Sequence, residues 1–165
     1  MSFEFYVSIK GKDQGQFKSE TKKTGRSDKW IPCIGIEMSS SVPVDANSGA
    51  TKGHRQHKPI VLTKEWGGSS PQMLQAHWNN EMLDEVVIEV VGRSPDGKKE
   101  VVVEQIKLTD AVIIAVRRYS SQLAKAASEN DTEHLEDISL RFRKIEVENK
   151  DAGTATSDDW NSPSR

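Results

Sequence analysis

The sequence predicts a mainly β fold, a small β-barrel or two-sheet sandwich of about seven or eight strands with one flanking α-helix at about residues 69–80. Several segments alternate apolar and polar residues with the period of two that is typical of a half-buried strand. Ser70-Pro71 is the best helix start in the chain. Ser94-Pro95-Asp96-Gly97 has the composition of a tight turn and joins two segments rich in β-branched residues.

The strand predictions follow this alternation from the N-terminus onward. The last predicted strand contains an offset between Phe142 and Ile145, which indicates a bulge. The predicted strands span Phe3–Ile9, Trp30–Met38, His57–Trp66, Val86–Val91, Val101–Leu108, Ala111–Tyr119 and Leu135–Val147.

The helix prediction depends on its two ends and on one apolar stripe. Ser70 is the expected N-cap, and Pro71 follows at the first helical position, where its missing N–H has no cost. Leu74, Trp78 and either Glu81 or Met82 are three to four residues apart and predict the face that packs on the sheet. Asn79-Asn80 is the expected stop.

Three segments lack a periodic pattern. At 165 residues the chain is expected to form a single domain over 1–165. Within it we expect a long loop at 39–53, a mobile loop at 120–132 and a polar C-terminal tail at 149–165 in which Trp160 is the anchor. A loop as long as 39–53 inside a compact domain is usually functional or disordered.

Charge and composition exclude several classes of protein. The 23 basic and 25 acidic residues nearly cancel, which argues against nucleic-acid binding and against an anionic membrane surface. The single cysteine, Cys33, predicts a fold that forms without an internal disulfide. The N-terminus has no signal-peptide pattern, and no apolar run reaches the roughly 18 residues of a membrane span.

The candidate chemical groups do not combine into a site. His54, His57 and His77 raise the question of zinc, but no pattern of cysteine or acidic ligands completes a set. Cys33 lacks a nearby histidine that could act as its base, and Gly67-Gly68-Ser69-Ser70 lacks the lysine of a phosphate loop. We therefore predict no catalytic residue, metal or cofactor. The residues alone indicate an assembling or binding module rather than an enzyme.

Short motifs in linear order carry a resemblance to one family over nearly the whole chain. They are Gln14–Lys18, Lys29–Pro32, Arg55–Ile60, Lys64–Pro71, Ile106–Ala111, Leu135–Glu136, Ile145–Asp151 and Asp158–Trp160. In order and spacing they resemble the Hcp (haemolysin-coregulated protein) family, the ring-forming tube subunits of type VI secretion. The segment 120–132 departs from the family pattern and resembles an insertion.

The resemblance implies a function without catalysis. Six copies would close into a ring, rings would stack into a tube inside a contractile sheath, and contraction would propel the tube with its spike protein and effector cargo. The subunit would be cytoplasmic before firing and then secreted without a cleavable signal. The expected lumen-facing residues are Cys33, Gly35 and Glu37. The expected ring-to-ring contact is the start of the long loop, namely Ser39, Ser40, Ser41, Val42, Pro43, Val44 and Asp45.

Two other classes remain open at this point. A tail-tube subunit of a phage-like contractile particle would show similar strands, and genomic neighbours would separate it from a secretion tube. A monomeric ligand-binding barrel would need a closed pocket lined by aromatic residues. Aromatic residues make up 6% of the chain, which disfavours that pocket.

Overall fold

The computed structural model describes residues 3–19, 27–121 and 133–161. Within them the chain forms twelve strands and one helix. The total exceeds the predicted seven or eight; seven of the strands have six residues or more, and the other five have two or three. The elements are β1 (Glu4–Gly11), β2 (Gly15–Gln16), β3 (Ile31–Cys33), β4 (Gly35–Glu37), β5 (Ser40–Ser41), β6 (Gln56–His57), β7 (Ile60–Glu65), α1 (Ser70–Trp78), β8 (Leu83–Arg93), β9 (Glu100–Ser121), β10 (Glu133–Arg141), β11 (Lys144–Asn149) and β12 (Thr154–Asp159).

Strand β9 joins the two halves of a ten-stranded sheet. Its first part pairs with β8 and β11, and the part from Val112 onward pairs with β10. Asp110 lies between the two parts with a φ of 52°. Next to it, Arg143 donates its backbone N–H to the carbonyls of Thr109 and Asp110, at the corner between β10 and β11. Strand β9 at Asp110 and the β10–β11 segment at Arg143 therefore pass from one half of the sheet to the other at the same place.

The two halves enclose one hydrophobic core. Val7, Ile88 and Leu108 from the first half belong to the same buried cluster as Leu62 and Ile138 from the second. Along the described residues the strand order β2-β1-β8-β9-β10-β7-β4 does not close on itself. The predicted mainly β class with one flanking helix is thus confirmed, in an open two-sheet form rather than as a closed barrel.

Helix α1 begins and ends close to the predicted positions, but it packs through another face. Met73 and Ala76 are fully buried, whereas Trp78, which was expected on the packing face, is 74% exposed. The N-cap is Ser69 rather than Ser70, and the buried Ser70 hydroxyl donates to Glu136 Oε1. Asn80, with a φ of 52°, follows the helix as the stop signal predicted.

Several predicted strands have other boundaries. The segment Trp30–Met38 divides at Ile34 into β3, which pairs with β1, and β4, which pairs with β7. The predicted strands at 101–108 and 111–119 are one continuous β9. The offset after Phe142 is the corner between β10 and β11.

The segments without a periodic pattern also contain structure. Ser40–Ser41 in the long loop forms β5 and pairs with β6, and Thr154–Asp159 in the expected tail forms β12 and pairs with β11. In the expected mobile loop 120–132, Ser120 and Ser121 belong to β9. Residues 122–132 lie outside the described part of the chain.

Candidate assembly surface

The three candidate lumen residues do not share one environment. Cys33 is 8% exposed, belongs to the core cluster, and lies in β3 beside Phe5 of β1. Its thiol is 3.8 Å from the carbonyl oxygen of Ile31. A side chain buried in this way does not line an open lumen, so the prediction for Cys33 is wrong. The reason is the break at Ile34, which ends one strand and starts another.

Gly35 and Glu37 lie two residues apart in β4 and therefore on one face of that strand. Ile36, between them, packs against the core, so this face points away from it. Glu37 is exposed, and a Cβ added at Gly35 would meet Thr63 Cβ at an ordinary 3.8 Å. These two residues remain candidates for a surface that faces a lumen.

The predicted ring-contact loop is a preformed hairpin, which we call the arm (residues 39–53). Val44 pairs with Thr51 in an antiparallel bridge, and Asp45 N donates to Ala50 O at 2.8 Å. The Asp45 carboxylate accepts the backbone N–H groups of Asn47 and Ser48, which lowers the pKa of its side chain. The arm thus has an internal hydrogen-bond network that fixes its shape.

Almost the whole arm is exposed. Apart from Asp45, which is half-buried, every residue from Ser39 to Gly53 is exposed. Val42 is 39% exposed and Val44 is 60% exposed, and Met38 before the arm is 47% exposed. Apolar side chains on a protruding, ordered hairpin are typical of a contact with another chain.

The base of the arm is held to the last strand by a charged cluster. Ser40 of β5 pairs with His57 of β6, and His57 Nε2 lies 2.6 Å from Asp158 Oδ2 in β12. Arg55 makes a two-pronged contact with the same carboxylate, with both N···O distances 2.8 Å. The hydrogen bonds from Arg55 and then from His57 hold the pKa of the Asp158 carboxyl well below its usual value.

The sequence motifs did not reveal a buried polar cluster at the other end of β7. Lys64 Nζ lies 2.7 Å from Glu136 Oε1, and the two side chains are 1% and 0% exposed. The Ser70 hydroxyl donates to the same oxygen at 2.6 Å. Arg118 Nε is 3.2 Å from Oε2 without hydrogen-bond geometry, so that contact is electrostatic. The sequence does contain a sign of this cluster, since Lys64 lies on the same inward face of β7 as Ile60 and Leu62 and is therefore expected to be buried.

The groups considered for chemistry lie apart. His57 contacts Asp158, and His77 Nδ1 lies 2.9 Å from the carbonyl oxygen of Ile113. In residues 3–19, 27–121 and 133–161 no cluster of three or more potential metal ligands occurs. Over the same residues, no helix has the length and apolar character needed to cross a membrane.

An ordered arm with exposed apolar side chains and an open sheet are typical of a protein that assembles with other chains. The comparisons with known proteins agree. The family described as "Type VI secretion system effector, Hcp" matches residues 6–148. The "Major exported protein" of Pseudomonas aeruginosa is 32% identical to this chain, over 99% of the chain and 98% of that protein.

Solved structures give the same result. A crystal structure of an Hcp protein superposes with a TM-score of 0.89 and 26% identity, covering 98% of this chain and all of the other. The secreted protein Hcp3 from Pseudomonas aeruginosa has a TM-score of 0.76 and 27% identity, with 98% and 100% coverage. The chain therefore belongs to the Hcp family. It is a structural subunit of the type VI secretion tube, not an enzyme, and the names of its relatives support its secretion.

Proposed function

We propose that six copies of this chain, each acting as a single domain, close into a ring and that the rings stack into the secretion tube. Family membership supports this proposal, and the observation that carries it for this chain is the arm. A heterologous contact, in which unlike surfaces meet, closes into rings or extends into stacks depending on its rotation. The exposed start of the arm, Ser39–Asp45, is the proposed contact between rings.

The proposed partners beyond the chain itself are a contractile sheath, a spike protein and effector cargo. The subunit waits in the cytoplasm, and sheath contraction then propels the tube out of the cell. The protein should therefore appear in the medium of intact cultures when the sheath contracts, and it should be absent when the sheath is locked in its extended state. Equal amounts in the medium of both strains would contradict the proposal.

We further propose that the β4 face with Gly35 and Glu37 lines the lumen. The substitution Gly35→Leu tests it, because the space at Gly35 accepts a Cβ. We expect less co-purified effector and unchanged secretion of the tube. Lys98→Leu, at the exposed turn between β8 and β9, is the control and should retain effector normally. Normal effector retention by Gly35→Leu would overturn the lumen assignment.

A further inference from the structure

A groove of about 520 Å³ lies between α1 and the end of β9. Trp78 on its wall is 74% exposed, and Trp66 is 39% exposed. Such a concentration of exposed indole surface is unusual for a free protein surface and is enriched in contact sites. The residues that line the groove include Trp66, Leu74, Gln75, Trp78 and Arg118.

The groove is held in shape before any partner arrives. Trp66 Nε1 donates to the carbonyl oxygen of Leu135 at 2.8 Å, and its ring stacks on His134 with centroids 4.8 Å apart. The guanidinium carbon of Arg118 also lies over the Trp66 ring, 4.3 Å from its centroid. A fixed aromatic wall loses little side-chain entropy on binding.

Arg118 also gives the groove a positive charge. Its side chain is 36% exposed, and its ion-pair partner is the buried Glu136. No hydrogen bond from the guanidinium to another side chain or carbonyl occurs within the described segments of the chain. The groove therefore offers apolar rings next to a guanidinium that can donate hydrogen bonds to an external carboxylate.

The arm has the complementary chemistry. Val42 and Val44 are exposed on either side of Pro43, and the carboxylate of Asp45 follows directly. Asp45 uses Oδ1 to accept the N–H groups of the turn, which leaves Oδ2 for another donor. Two apolar side chains and an anion on the arm thus correspond to two indoles and a cation in the groove.

The arm and the groove lie at opposite ends of β7. The arm is attached next to β6, which precedes β7, whereas Trp66 follows β7 directly. The six residues of β7 separate the two by roughly 20 Å at about 3.3 Å per residue. Since every residue of the arm except Asp45 is exposed, the arm does not fill the groove of its own subunit. Head-to-tail binding between copies satisfies both surfaces.

We propose that the arm of one copy binds the groove of a second copy, with Val42 and Val44 against Trp66 and Trp78 and with Asp45 facing Arg118. This inference rests on the proposed tube function and names the partner of the arm. It makes the interface heterologous, so that each subunit gives one arm and receives another. Loss of the indole of Trp78 should therefore weaken association without disturbing the fold of the subunit.

Cysteine trapping tests the contact in the full-length chain. Val44→Cys and Gln75→Cys place one thiol on the arm and one on the groove wall, and Cys33 is buried and stays in place. Because a disulfide needs Cα atoms within roughly 7 Å, oxidation should give a ladder of covalent multimers on a non-reducing gel. Val44→Cys combined with Val101→Cys, which is exposed at the start of β9, far along the strand from Arg118, is the control and should give only the single-chain band on the same gel.

A third substitution in the trapped pair tests the role of the aromatic wall. Trp78→Ala should slow the trapping about tenfold, as expected for a central tryptophan in a contact. Met82→Ala, at an exposed position outside the groove, should not change the rate. No ladder from the Val44/Gln75 pair would overturn the inference. If wild-type rings still form and stack in that case, the proposed function stands; if the wild-type chain forms no rings, the proposed function itself fails.

Discussion

Lys64 and Glu136 form an ion pair that is almost completely buried, at 2.7 Å, with the Ser70 hydroxyl on the same carboxylate oxygen. Removing two charges from water is unfavourable, and their mutual attraction offsets that cost when the geometry is good. The pair links β7 to β10 and, through Ser70, to the first residue of α1. It therefore ties the first residue of the helix to the sheet.

Breaking this pair on one side should destabilise the subunit strongly. Lys64→Met leaves the carboxylate of Glu136 buried without its main counter-charge, and we expect a loss of about 3 kcal/mol in the free energy of unfolding. The double substitution Lys64→Met/Glu136→Leu removes both charges and should recover much of that loss. Urea denaturation of the three proteins measures these differences.

A surface pair provides the control. Lys107 and Glu85 are 3.6 Å apart and 42% and 50% exposed. Lys107→Met should change the free energy of unfolding by less than about 1 kcal/mol. Equal effects of Lys64→Met and Lys107→Met would contradict the importance that we assign to the buried pair.

A second prediction concerns Gly11, at the end of β1. Its missing side chain makes room for the buried Glu81, whose carboxylate accepts the backbone N–H groups of Asp13 and Gln14 in the turn to β2. A Cβ at Gly11 would overlap that carboxylate. Gly11→Ala should therefore lower the free energy of unfolding by about 1–3 kcal/mol. Thermal melting of both variants measures the loss. Gly35→Ala is the control, because a Cβ fits at Gly35. A loss of stability in Gly35→Ala equal to that in Gly11→Ala would contradict this explanation.

At the residue scale, the sequence pattern predicted which segments form strands and the helix better than it predicted where each side chain points. The alternation over Trp30–Met38 predicts one continuous strand with Cys33 on its outward face, whereas the break at Ile34 places Cys33 in the core. Trp78 was expected on the packing face of α1 because of its spacing from Leu74, but the smaller Met73 and Ala76 fill the space beneath the helix. Contacts between distant segments decided both cases.

At the element scale, strand β12 is the clearest addition to the predicted fold. Its sequence, Thr154–Asp159, has no apolar alternation, so the pattern indicated a polar tail. The strand forms because its backbone pairs with β11 and because its last two residues bind arginines. Asp158 binds Arg55, and Asp159 binds Arg143 at 2.5 Å. Sequence alone could not reveal these partners, since Arg55 is about a hundred residues away.

The attachment of β12 predicts a specific dependence on pH. The pKa of the Asp158 carboxyl is below its unfolded value of 3.8, chiefly because of Arg55 and also because of His57. A carboxyl whose pKa is lower in the folded state stabilises the fold fully at a pH above its unfolded pKa. This contribution is lost as the pH falls from the unfolded pKa through the folded pKa. The wild-type protein should therefore exceed Asp158→Asn in stability at neutral pH, and the difference should shrink below about pH 4.

Urea denaturation between neutral and acidic pH measures that difference. Arg55→Gln removes the larger cause of the lowered pKa, so its profile should approach that of Asp158→Asn. A difference between wild type and Asp158→Asn that is the same at every pH would contradict the assignment.

The longer elements were predictable because their patterns are local. The alternation in β1, the turn at Ser94–Gly97 and the stop of α1 at Asn79 all agree with the structure. The bend of β9 at Asp110 was less accessible. The sequence predicts two strands there, Val101–Leu108 and Ala111–Tyr119, whereas the structure has one strand that changes its partner from β8 to β10. The partner strand is distant in sequence, so a local pattern does not show it.

At the scale of the whole molecule, the proposed assembly depends on two complementary surfaces of the same subunit, the arm and the groove. The arm at one end of β7 and the groove at the other give the subunit a direction. A subunit with direction, repeated by rotation and translation, forms rings and stacks without any catalytic chemistry. The exposed valines and tryptophans, which would be unfavourable on a free monomer, are then covered by neighbouring copies.

Native mass spectrometry of the purified full-length chain, together with negative-stain images of the same sample, tests the central claim most directly. The account predicts a species of six times the mass of one chain and ring-shaped particles in the images. A chain that remains monomeric at every concentration, with no rings in the images, would contradict it.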